Sequence, residues 1–150
     1  MKKVALLAFA FILTFTSCSL DDDPSDSFYL EVLPVESVEM PEYFVHGETY
    51  EILVTYTKPN SCYYFNDFIY EIDGHERTIA VVNTVYSNNI TNCDGEPEQV
   101  SVNFDFTVTG YETYVFKFYQ GEDENGEDQY YLVEMPVMDG RYISDQPVRD

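Results

Sequence analysis

The chain has 150 residues, enough for one domain with a real core. It is strongly acidic, with 28 Asp+Glu against 7 Lys+Arg and a formal net charge of -21. That balance argues against nucleic-acid binding, which needs a basic stripe, and against adsorption of the folded domain to an anionic membrane. The acidity reads first as a solvated, self-repelling surface and second as a cation site.

The amino terminus is an address. Lys2 and Lys3 form a short positive region, followed by the uncharged apolar run VALLAFAFILTF, residues 4–15. Twelve residues suit a secretory signal and are too few to span a bilayer as a helix. The stretch FTSC that follows resembles the lipobox of bacterial lipoproteins, with Phe15 where leucine is usual. The resemblance implies that residues 1–17 are removed and that Cys18 is lipidated. Its acyl chains, at roughly 0.8 kcal/mol per buried CH₂, would then anchor the chain in the membrane.

Residues 18–27, with SLDDDPSDS after the cysteine, are polar and broken by Pro24. They read as a disordered acidic tether reaching roughly 30 Å. Asp21, Asp22 and Asp23 also resemble the acidic export signal of Bacteroidota lipoproteins. That resemblance implies an outer-membrane location with the domain at the cell surface; a periplasm-facing position stays open.

From Phe28 to residue 140 the pattern has a period of two and reads as one β-sandwich domain, with residues 141–150 as a tail. FYLEVLPVESVEM opens it, split by Pro34 in a way that suits an edge or a switch between sheets. YEILVTYT sets Tyr50, Ile52, Val54 and Tyr56 on one face. CYYFNDFIYEI and RTIAVVNTVY are apolar on both faces and read as central strands. VSVNFDFTV aligns Val100, Val102, Phe104, Phe106 and Val108, and TYVFKFYQ sets Tyr114, Phe116 and Phe118 against Val115, Lys117 and Tyr119. YYLVEMPV closes the set, and Gly-, Asn-, Asp- and Pro-rich turns separate the strands. Asp73-Gly74 suits a type I′ hairpin turn.

About seven strands in about 110 residues, with no helical period, predict an all-β fold: an antiparallel β-sandwich. GETYEILVTY and VTGYETYVFKFYQG resemble the second strand and the turn into the sixth strand of immunoglobulin-like or fibronectin-type domains. The resemblance implies an immunoglobulin-like architecture. It also implies a tyrosine corner, a hydroxyl bonded to nearby backbone, at Tyr114 or secondarily at Tyr111.

With Cys18 assigned to lipid, Cys62 and Cys93 form an even pair in a compartment that permits disulfides, and a bridge between them is expected. A metal site of Cys62, Cys93, His46 and His75 matches no ligand spacing, and both histidines read as solvated turn residues. The loop GEDENGEDQ offers Asp123, Asn125 and Asp128 as oxygen ligands for Ca²⁺, or it is an acidic hairpin in which Asn125-Gly126 supplies positive-φ turn residues. The chain carries no nucleophile elbow, zinc-helix motif, phosphate loop or dinucleotide fingerprint, so it does not read as an enzyme. Acid pairs such as Asp67 with Glu71 are expected by chance in so acidic a chain. The expected role is a non-catalytic binding or accessory module of the cell envelope, partnered by an envelope protein or a glycan. The alternative is a glycan- or cation-binding component of a surface uptake system.

Overall fold

A computed structural model describes residues 28–86 and 92–139. They form ten strands: β1 (Phe28–Leu33), β2 (Val35–Glu39), β3 (Phe44–Val45), β4 (Thr49–Lys58), β5 (Tyr63–Asp73), β6 (Glu76–Tyr86), β7 (Glu98–Thr107), β8 (Tyr114–Glu122), β9 (Asp128–Met135) and β10 (Val137–Met138). The fold is the expected all-β sandwich. Ten strands replace about seven because Pro34 divides one run into β1 and β2, and because β3 and β10 are two-residue strands.

The larger sheet has five strands and the smaller has three, in the order β2-β4-β7. β1 pairs with β6 in the larger sheet and β2 with β4 in the smaller, so the chain changes sheets at Pro34. Proline has no N–H to give a ladder, which makes it a natural crossing point. Leu33 and Val35 on either side of it are both buried.

Two pairings depart from the expected antiparallel pattern. β6 runs parallel to β8, and β3 runs parallel to β10. The first follows from connectivity. After β6 the chain crosses to the other sheet as β7 and returns as β8, a crossover that leaves β6 and β8 pointing the same way.

Strand alternation builds the core as expected. Ile52, Val54 and Tyr56 from β4 face Ile79, Val81 and Val85 from β6, and all are buried. One end is aromatic: Phe106 lies 5.2 Å from Phe44, 5.0 Å from Tyr114 and 5.1 Å from Phe116 between ring centroids. These offset and edge-on contacts add to the area buried. Tyr114 makes the corner bond, its hydroxyl accepting from Gly110 N–H at 2.7 Å. Asn83, fully buried, accepts from the Tyr56 hydroxyl at 3.1 Å.

The two-faced apolar pattern misplaced β5. Strand β6 is central, flanked by β5 on one side and by β1 and β8 on the other. Among the described residues β5 has no second neighbour, and it is exposed along most of its length. Its aromatics record two faces in use, and nothing local specifies that its far edge stays open.

Two turns also differ in detail. In the β5–β6 hairpin Asp73 pairs with Glu76, so Gly74 and His75 form the loop. Only Gly74 has positive φ, at 56°, which fits a type II′ turn with glycine first rather than type I′. In the β8–β9 hairpin Glu122 pairs with Asp128 across a five-residue loop, and Gly126 alone, not Asn125, has positive φ.

Candidate functional site

The two outer faces of the sandwich differ sharply. On the smaller sheet the outward residues of β4 and β7 form a polar ladder. Thr49 bonds Thr107 at 2.9 Å, Thr55 bonds Ser101 at 2.8 Å, and Asn103 donates to Glu51 at 2.7 Å. On the larger sheet Phe28 and Leu30 stand 57% and 59% exposed, with Tyr64 and Leu132 also in solvent.

A depression of about 310 Å³ lies on that apolar face. It forms at a seam in the sheet. Pairing of β1 with β6 ends at Leu33↔Val81, and pairing of β8 with β6 ends at Ile79↔Phe118. Ala80 sits between the two, and its small side chain with Thr78 leaves a low floor. Val32, Ile69, Tyr119 and Tyr130 make the walls, with Glu71 and Asp128 beside them.

The Tyr119 and Tyr130 rings are 6.2 Å apart at 69°, and Lys117 Nζ lies 5.2 Å from the Tyr130 centroid. The Tyr130 hydroxyl donates to Asp128 Oδ2 at 3.2 Å. Both phenols are raised above their ordinary value, first by burial. Glu122 and Asp128 add to Tyr119, and the bond to Asp128 adds to Tyr130. They therefore stay neutral donors across physiological pH. Ring faces, hydroxyl donors and exposed carboxylate acceptors together suit a polyol.

A second concavity, about 390 Å³, opens along the side of the sandwich between β5 and β7, each an edge strand among the described residues. Phe68, Tyr70, Ile72, Phe104 and Phe106 line it, with Arg77 among them and Asp67 and Asp105 also on its surface. Phe104 stands edge-on to Phe68 at 5.3 Å and to Tyr70 at 6.0 Å.

The expected site residues are placed as follows. Cys18, the signal segment, the tether and the carboxy-terminal tail lie outside the described residues. Cys62 and Cys93 are joined in a disulfide with Cα atoms 5.0 Å apart. It ties the entry to β5 to the segment after β6, where Ser61 N–H also donates to Asp94 O at 3.3 Å and Tyr86 N–H to Cys62 O at 3.2 Å.

In the acidic loop Asp123 Oδ1 accepts from Asn125 N–H at 2.8 Å and Glu127 N–H at 3.0 Å. Backbone bonds from Glu127 and Asn125 hold its carboxyl below the ordinary value of 3.8. Asp128 turns instead to Tyr130. Among the described residues no three His, Cys, Asp or Glu side chains gather where they could hold a metal ion.

His46 stacks on Tyr111 at 3.9 Å, and His75 pairs with Glu112. Asp67 and Glu71 are both exposed; Asp67 caps Phe68 N–H at 2.8 Å, at the β5 bulge.

Of the residues lining these concavities, only Asp128 was foreseen as a site residue; Tyr119, Tyr130 and Arg77 were not. The signal for Arg77 was present, because it lies in phase with Ile79, Val81, Asn83 and Val85 on the buried face of β6. Nothing local marks Tyr119 and Tyr130, which become neighbours through the β8–β9 register. Comparison with known proteins finds no matching family model, curated protein or solved structure.

Proposed function

We propose that this chain is a lipid-anchored, non-catalytic binding module of the bacterial cell envelope, displayed from the outer membrane. Its ligand is taken on the outer face of the larger sheet. The observation that supports binding is the contrast between the two outer faces, one closed by a polar ladder and the other apolar, aromatic and indented. A rigid sheet holding a depression of ligand size is a common recognition device. The address is supported by Lys2, Lys3, the apolar run, Cys18 and the aspartates after it.

A second reading, a glycan-binding component of a surface uptake system, is favoured by Tyr119 and Tyr130 beside Glu71 and Asp128. Rings stack on the apolar face of a sugar, while the hydroxyl and carboxylate groups bond its hydroxyls.

Two measurements test the proposal. Labelling with a fatty-acid analogue should mark the wild-type protein and not Cys18→Ala, and proteinase should remove the domain from intact cells. Equal labelling of the variant, or full protection in intact cells, would overturn the anchor or the display. A glycan array probed with wild type and Tyr130→Ala tests the ligand class. Signals lost in the variant support it, and a blank array with wild type counts against it.

A further inference from the structure

The depression on the outer face of the larger sheet is charged as well as aromatic. Glu71 and Asp128 line it together with Tyr119 and Tyr130, and no Lys, Arg or His does. Both acids are exposed. Among the described residues the ion pairs are Lys58–Glu98, His75–Glu112 and Lys117–Glu76, so a base answers neither Glu71 nor Asp128. Burial raises the Tyr130 phenol first, and the bond to Asp128 and the charges of Asp128 and Glu71 raise it further, so both carboxylates act on one ring.

Charge selects among the sugars that could sit here. An acidic sugar meets two carboxylates inside a chain of formal charge -21 and is repelled. A neutral sugar gives each carboxylate only uncharged hydroxyl donors. An ammonium brings several donors and a full positive charge, and bonds of that kind are the stronger ones. A bare metal ion is less well served, because among the described residues no three His, Cys, Asp or Glu side chains gather to hold one.

The rings add to the preference for an organic cation. An aromatic face attracts an ammonium within about 6 Å of its centroid. Tyr130 already does so, with Lys117 Nζ at 5.2 Å. That lysine does not line the depression, and Glu76 at 3.5 Å answers its charge.

We propose that the depression binds an amino sugar carrying a free amine, its ammonium on Glu71 and Asp128 and its ring against Tyr119 and Tyr130. This inference rests on the glycan reading above and narrows it to cationic sugars. The carboxylates choose the charge, and the rings hold the apolar face of the sugar.

The test uses the mature chain carrying Cys18→Ser, labelled with ¹³C and ¹⁵N, at pH 6.5 and constant ionic strength. The probe is D-glucosamine, whose amine is protonated at that pH. It should shift the ring resonances of Tyr119 and Tyr130 saturably. D-Glucose and N-acetyl-D-glucosamine keep the sugar ring and lose the charge, and each should bind about fivefold more weakly or worse. Glu71→Gln combined with Asp128→Asn should weaken D-glucosamine by about fivefold and leave D-glucose within about twofold. Both substitutions are at exposed positions, and they remove two of 28 acids, so attraction to the overall charge barely changes.

D-Glucose binding as tightly as D-glucosamine would overturn the proposal and leave the glycan reading standing. No saturable shift with any of the three sugars would overturn both. Unchanged D-glucosamine binding in the double variant would assign the effect to overall charge and sink the site. Choline binding as tightly as D-glucosamine would remove the sugar from the proposal and overturn it as stated.

Discussion

Gly110→Ala probes the corner that fixes the turn into β8. A Cβ at residue 110 would fall 2.9 Å from Tyr114 Oη and 3.4 Å from its Cζ. The ring has nowhere to retreat. Tyr114 is 1% exposed, edge-on to Phe106 at 5.0 Å and covered by Arg77 at 4.9 Å. Overpacking of this kind costs about 1–3 kcal/mol, and the disturbed Gly110–Tyr114 bond about 1 more. Alanine recovers about 0.4–1 kcal/mol by restricting the unfolded chain. The net loss is about 2 kcal/mol, a fall in Tm on the order of 10 °C for a domain of this size.

Tyr114→Phe should cost about 1–2 kcal/mol, because Gly110 N–H loses its acceptor. It also removes the atom that the new Cβ meets. In the Tyr114→Phe background Gly110→Ala should therefore cost about 1 kcal/mol or less. Urea unfolding of the four proteins closes the cycle. A neutral Gly110→Ala, or single costs that add within about 0.5 kcal/mol, would refute this account of the corner.

Other perturbations reach other parts of the structure. Reducing the Cys62–Cys93 bridge, which spans a sequence separation of 31, should destabilise the domain by about 3.5 kcal/mol in the chain-entropy model. An unchanged melting curve in dithiothreitol would contradict it. Tyr56→Phe should cost about 2 kcal/mol by leaving buried Asn83 Oδ1 without its donor, and adding Asn83→Leu should recover much of that loss. If the double variant is no better than Tyr56→Phe alone, the buried pair is not an isolated polar unit. Asp123 titrates below its ordinary value of 3.8, so its contribution to the hairpin is fully present above that pH and is lost as pH falls through the lower folded value. Carboxyl-carbon NMR should place its inflection below 3.8, and an inflection at or above it would remove the capping role.

Much of the sandwich was legible in the order of residues. Alternation alone set Ile52, Val54 and Tyr56 on one face of β4, and Tyr114, Phe116 and Phe118 on one face of β8, and those faces are the buried ones. Side chains in a strand alternate strictly, so a period of two carries the face with it. Pro34 suited an edge or a change of sheet, because a residue without an N–H interrupts a ladder, and the pairings of β1 and β2 make it the change of sheet. The pairing of Cys62 with Cys93 followed from an even count once Cys18 was set aside.

What local pattern could not decide was which strands became neighbours. β5 and β6 carry similar apolar residues on both faces, yet one is an edge and the other is flanked on both sides. The parallel pairing of β6 with β8 depends on the crossover through β7, and no residue in either strand encodes it. The candidate site inherits that dependence. Tyr119 meets Tyr130 only through register, and the seam at Ala80 exists only because β1 ends where β8 begins along β6. Arg77 faces inward by alternation, but the groove beside it is set by β5 and β7, which are edge strands among the described residues. The sequence determined the faces, which are local and periodic. The tertiary structure decided the edges and concavities, because those arise between segments far apart in the chain.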